Sequence, residues 1–69
     1  MNFGLIGAGG IGRVRAQALR ATPGCRLAAV SDLDRGRGET VAAGQARVFP
    51  DWRKLLALEE VEAVVVATP

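Results

Sequence analysis

Residues 7–12 read Gly7-Ala8-Gly9-Gly10-Ile11-Gly12, a G-x-G-x-x-G turn. Each glycine in such a turn has its own physical task. Gly7 makes the sharp exit from a strand, Gly9 lets a pyrophosphate approach the backbone with no Cβ between them, and Gly12 lets the following helix pack close to that strand. The amides near Gly10 and Ile11 then face the phosphates from the positive end of the helix dipole. Glycine-rich turns are common, so the flanks decide. Before the turn stands the short apolar run Asn2-Phe3-Gly4-Leu5-Ile6-Gly7, which reads as a buried strand. After it, residues 11–21 read as a helix, with Ile11, Val14, Ala18 and Leu19 on the apolar face and Arg13, Gln17 and Arg20 on the other. Thr22-Pro23-Gly24 stops that helix.

Further along, Leu27-Ala28-Ala29-Val30 is uninterrupted by polar residues, as in a strand of a parallel sheet buried on both faces. It runs into Asp32, about 20 residues beyond Gly12, where a carboxylate receives the hydroxyls of an adenosine ribose. A strand, the glycine turn, a helix and this acid together favour dinucleotide binding. The alternative is a glycine turn serving packing alone. Asp32 repels a 2′-phosphate and so favours NAD, while Arg35 and Arg37 nearby leave NADP possible. Both arginines otherwise read as solvated.

Residues 34–44 carry Gly36 and Gly38, each costing about 1 kcal/mol in a helix interior, so only a short or frayed helix is expected there. Arg47-Val48-Phe49 reads as a third strand, Asp51 as an N-cap, and residues 52–58 as a third helix carrying Leu55, Leu56 and Leu58. Ala63-Val64-Val65-Val66-Ala67 is the strongest buried-strand signal. Alternating strands and helices imply right-handed βαβ units. The expected fold is α/β, a Rossmann-type three-layer αβα arrangement with a parallel sheet of about four strands in the order 3-2-1-4. In that order the last strand is an edge, and an uncharged Val-rich edge invites pairing with another chain. Self-association through Ala63–Ala67 is therefore expected.

The composition narrows the chemistry. The chain has 69 residues, 49% hydrophobic and 4% aromatic, with no histidine and one cysteine, Cys25. Histidine-based acid–base catalysis, histidine metal sites and intrachain disulfides are excluded. No catalytic and no metal-binding residue is expected. Eight arginines and one lysine against seven acidic residues leave a net charge of +2, and the basic residues form no block, so no nucleic-acid surface is expected. The N-terminal run lacks the charge and continuity of a secretory leader, and no segment approaches a membrane span. A cytoplasmic protein with a reduced thiol and no membrane partner is expected. Cys25, Trp52, Lys54 and the Glu59, Glu60 and Glu62 cluster read as structural or solvated. Thr68 stands at the carboxyl end of a strand, where open α/β sheets bind ligands.

Taken together, Phe3–Arg13, Leu27–Asp32, Val48-Phe49-Pro50-Asp51-Trp52 with Leu55-Leu56, and Val61–Pro69 resemble the N-terminal segment of the Gfo/Idh/MocA (glucose–fructose oxidoreductase / inositol dehydrogenase) family. The resemblance covers essentially the whole chain. It implies a cofactor-binding set of Gly7, Ala8, Gly9, Gly10, Ile11, Gly12, Asp32, Arg37, Ala67, Thr68 and Pro69, with Arg37 flanking the adenine. It also implies hydride transfer between a nicotinamide cofactor and a sugar- or cyclitol-like alcohol–carbonyl pair. The family's Glu-Lys-Pro segment, and the Asp and His of its substrate domain, have no counterpart here. Residues 1–69 are thus expected to be a partial, truncated dinucleotide-binding domain without its substrate domain. A free-standing nucleotide-binding or redox-sensing module, or a non-binding assembly domain, are the alternatives.

Overall fold

The computed structural model describes residues 1–68. Its elements follow the chain as β1 (Asn2–Ile6), α1 (Gly10–Ala21), β2 (Arg26–Ser31), α2 (Arg35–Ala42), β3 (Arg47–Phe49), α3 (Trp52–Leu56) and β4 (Ala63–Val66). All four strands run parallel in the order β3-β2-β1-β4. This is the Rossmann-like order expected from the alternation of apolar runs.

Two cores form, one on each face of the sheet. On one face Leu5, Leu27 and Val30 meet Ala16 of α1 and Val41 and Ala42 of α2. Leu27 and Val30 share this face despite lying three residues apart, because the β1–β2 register slips. Phe3 opposes Leu27 while Gly4 opposes Ala29, so Ala28 is the extra residue of a bulge. On the other face α3 inserts the fully buried Leu55 against Gly4. A Cβ on Gly4 would fall 2.6 Å from Leu55 Cδ2, so the strand glycine is the floor on which α3 sits.

The buried face of α1 differs from the expected one. Gly12 and Ala16 are buried and Leu19 half-buried, whereas Ile11, Val14 and Ala18 are exposed. The cause is the closeness of the helix to the sheet. A Cβ on Gly12 would lie 2.0 Å from the carbonyl oxygen of Gly7, so only the smallest residues fit the contact face. The large apolar side chains are rotated out of it.

α2 forms over eight residues despite its glycines. Asp34 caps it by accepting the N–H of Arg37 at 3.1 Å, and Thr40 Oγ1 donates to the carbonyl of Gly36 at 2.9 Å. Gly38 is needed for packing, since a Cβ there would lie 2.8 Å from Val48 Cγ1. Arg20 does more than face solvent. Its Nη2 donates to the carbonyls of Val41 and Ala42 at 2.6 and 3.0 Å, satisfying the open end of α2 and tying it to α1. Arg20→Met keeps the stem but loses both bonds. A cost of about 1 kcal/mol is expected, a fall in Tm of roughly 4–8 °C in thermal unfolding.

α3 is shorter than expected, ending at Leu56. Its cap is the expected Asp51, whose carboxylate accepts the N–H of Arg53 at 2.9 Å and its Nε at 3.1 Å. The backbone N–H of Arg53 first, and its side chain second, hold the Asp51 carboxyl below its ordinary value. A lowered folded-state pKa means the cap acts above the unfolded value, about 3.9, and is lost as pH falls through the folded one. Asp51→Ala should therefore flatten the acid limb of the stability–pH curve from chemical denaturation.

β4 is less buried than its Val-rich sequence suggests. It is a sheet edge, bonded only to β1 among the described residues, and Val66 is 67% exposed. Among those residues no helix is long and apolar enough to cross a membrane.

Candidate functional site

The carboxyl ends of β1, β2, β3 and β4 are drawn together by backbone hydrogen bonds. Gly7 N–H donates to the Ser31 carbonyl at 2.8 Å, Asp32 N–H to Phe49 at 3.2 Å, and Ala67 N–H to Ile6 at 2.8 Å. Above them lies a groove of about 760 Å³, whose walls include Gly7, Gly9, Gly10, Ile11, Asp32, Arg37, Ala67 and Thr68. Most of the expected site residues thus line one cleft. Ala8 is buried within the turn and Gly12 on the sheet-facing side of α1, so these two shape the cleft from below. Pro69 lies outside the described residues.

The four motif glycines separate into two kinds. Gly7 has φ +100°, and a Cβ there would stand 2.9 Å from the Ala67 carbonyl carbon and 3.0 Å from Thr68 N. Its task extends beyond the turn to the close approach of the β4 end. Gly12 meets Gly7 as described. Gly9 and Gly10, by contrast, have no positive φ, and a Cβ added to either would meet nothing within 4 Å. Neither backbone strain nor internal packing requires glycine at those two positions. They border open space at the start of α1, whose first turn holds neither a side-chain cap nor an acidic residue. Such a helix start leaves its N–H dipoles available to an anion. The residues present therefore fit the pyrophosphate of a dinucleotide.

Asp32 is half-buried at the end of β2. Its Oδ2 accepts the N–H of Ala8 and its Oδ1 the N–H of Asp34, each at 2.7 Å. The acid is thereby fixed to the glycine turn itself. Each carboxylate oxygen keeps further lone-pair capacity for hydroxyl donors. Arg37 lines the groove, with its Nε 3.7 Å from Asp34 Oδ2. Arg35 instead points along α2 to Glu39 at 3.6 Å.

Three residues gain a place that their sequence context does not suggest. Trp52 reads from sequence as a packing residue of α3 but is 49% exposed and lines the groove, with the Arg53 guanidinium 5.8 Å from its ring centre. Leu55 already fills the space beneath the five-residue α3, so Trp52 at its first position turns outward. Leu33, next to Asp32, is 94% exposed on the same rim. Arg13 borders a second recess of about 680 Å³ between α1 and α2, which also opens on Gly9 and Gly10. Its position directly after Gly12 is the only signal the sequence offers.

Over residues 1–69 the chain matches the sequence model of the GFO_IDH_MocA oxidoreductase family, described as an NAD-binding Rossmann fold, and it belongs to that family. It is 46% identical over 68 residues to an inositol 2-dehydrogenase of Rubrobacter xylanophilus, covering 96% of this chain and 20% of the relative. Among solved structures it resembles GenD2 from gentamicin A biosynthesis in complex with NAD, at 37% identity and a TM-score of 0.94, covering 100% of this chain and 20% of that one. It also resembles the myo-inositol dehydrogenase of Lactobacillus casei in complex with NAD(H) and myo-inositol. There the identity is 30% and the TM-score 0.93, covering 99% of this chain and 21% of that one. The chain thus spans about a fifth of the length of the relatives it matches.

Proposed function

We propose that residues 1–69 bind NAD as part of the dinucleotide-binding domain of an oxidoreductase. The whole enzyme would transfer hydride between the nicotinamide and a cyclitol- or sugar-like alcohol or ketone. The observation that carries the binding role is the pair Gly9 and Gly10, which no internal contact and no backbone strain explains. A turn serving packing alone accounts for Gly7 and Gly12 but leaves these two without a reason. Bound there, the nicotinamide would supply the hydride chemistry. The chain's own contributions are positional. Gly7, Ala8, Gly9, Gly10, Ile11 and Gly12 shape the pyrophosphate cradle, Asp32 accepts ribose hydroxyls, and Arg37 flanks the adenine. Ala67, Thr68 and Pro69 border the nicotinamide half. We assign no catalytic residue and no substrate domain to these residues. The cyclitol class rests on the inositol dehydrogenases among the relatives.

Thermal unfolding with and without NAD tests the binding role. At 100 times its dissociation constant NAD should add about 2.7 kcal/mol, a rise of more than about 10 °C for a domain this small. No rise at millimolar NAD would refute it.

The reading extends to location and association. A lone, unpaired Cys25 suits a reducing cytoplasm. The arginines at 35, 37, 47 and 53 are engaged in local ion pairs, which argues for neither nucleic acid nor membrane as a partner. The 69-residue chain self-associates through β4, whose open edge carries the exposed Val66. Sedimentation velocity should show mass rising with concentration, and Val66→Lys should abolish the rise. A monomer at millimolar concentration would contradict this.

A further inference from the structure

Resting on the reading that Asp32 receives the adenosine ribose, we propose that Asp34 is a second specificity-determining residue, excluding a 2′-phosphate by holding Arg37 and adding its own negative charge. Asp34 is placed beside the ribose acid by the backbone, since its N–H is bonded to Asp32 Oδ1 at 2.7 Å. One carboxylate oxygen accepts the Arg37 N–H at 3.1 Å, and the other lies 3.7 Å from Arg37 Nε. Both sides of Asp34 are thus turned to Arg37, the arginine best placed to meet a phosphate at this end of the groove.

The recess between α1 and α2 shows what Asp34 restrains. Arg13, Asp34, Arg37 and Thr40 line it together, and it opens on Gly9 and Gly10. Arg13 makes no ion pair among the described residues, while Arg35 is committed to Glu39. The cationic pair able to meet a 2′-phosphate is therefore Arg13 with Arg37, rather than Arg35 with Arg37. Two guanidinium groups form a phosphate site wherever no carboxylate competes for them. Of the two acids, Asp34 lines this recess and Asp32 the adjoining groove, so it is Asp34 that competes with a dianion for Arg37. Removing the Asp34 charge frees Arg37 while leaving the ribose acceptor intact.

The experiment is calorimetric titration of the 69-residue chain and its Asp34→Asn and Asp34→Ser variants with NAD and with NADP. Asn and Ser cap helices about as well as Asp, so the unfolding midpoint should stay within a few degrees. NADP affinity should rise about tenfold at low salt and the gain should shrink at high salt, as an exposed charge interaction does. NAD affinity should change less than twofold, and adding Arg37→Ala should return the NADP-to-NAD affinity ratio to its wild-type value, whatever it costs both nucleotides at the adenine. If the variants bind NAD normally while their NADP affinity is unchanged, or if Arg37→Ala leaves that ratio raised, the Asp34 role is wrong. If the wild-type chain binds no NAD, the ribose reading fails, and this proposal fails with it.

Discussion

Gly12→Ala should unfold the chain, or nearly so, whereas Gly9→Ala should fold normally and bind NAD poorly. A Cβ on Gly12 would stand 2.0 Å from the Gly7 carbonyl oxygen and 2.9 Å from its carbon. Backbone cannot step aside as a side-chain tip can, so α1 would have to lift from the sheet and carry Ala16 out of the core. Overpacking costs about 1–3 kcal/mol and occasionally more, and this contact lies at the severe end. A domain of this size has a total stability of roughly 3–10 kcal/mol. The expected fall in Tm is therefore at least about 12 °C, read from circular dichroism. Gly9 has an ordinary φ of −75° and nothing within 4 Å of a Cβ. There the loss as an N-cap and the gain from a stiffer unfolded chain nearly cancel, within about 1 kcal/mol. NAD affinity should nonetheless fall at least about tenfold, because the methyl occupies the space through which the pyrophosphate reaches the backbone. Normal binding by Gly9→Ala would remove the main support for the proposed function.

Asp32→Ala should weaken NAD binding about 100-fold and erase the preference for NAD over NADP, from the loss of charge-assisted bonds to the ribose. It should also loosen the turn, because Ala8 N–H and Asp34 N–H both donate to this carboxylate. Asp32→Asn separates the two effects. Its amide oxygen still accepts one backbone N–H, so stability should lie between wild type and Asp32→Ala. Its lost charge should still narrow the NAD-to-NADP ratio. Titration of each variant with both nucleotides, alongside chemical denaturation, reads binding and folding separately. Unchanged nucleotide affinities in Asp32→Ala would rule out the ribose role.

Much of the fold and cleft is legible in the sequence because it rests on local rules. The unbroken Leu27–Val30 run marks a strand covered on both faces. Asp51 before Trp52 marks a cap, and the glycine turn between an apolar strand and a helix marks the start of α1 at the mouth of the cleft. The hidden features are those set by contacts between distant segments. The buried face of α1 follows from the Gly12–Gly7 contact, which favours the smallest side chains and reverses the usual weighting by large apolar ones. Trp52 joins the groove because Leu55 has already filled the space beneath α3. The tie from Asp32 to Ala8 spans 24 positions, and the clasp of Arg20 on the end of α2 spans 21 and 22. Neither leaves a periodic trace. Gly38 reads as a helix weakener by propensity alone, yet its missing Cβ is what lets α2 settle on Val48.

Binding of NAD at the glycine turn is tested most directly by an amide NMR titration of the 69-residue chain. The largest shifts are expected at Ala8, Gly9, Gly10, Ile11 and Gly12, smaller ones at Asp32 and Thr68, and none at Arg26 or Glu60 on the far side of the fold. An unchanged spectrum at saturating NAD, or shifts that bypass the glycine turn, would contradict it.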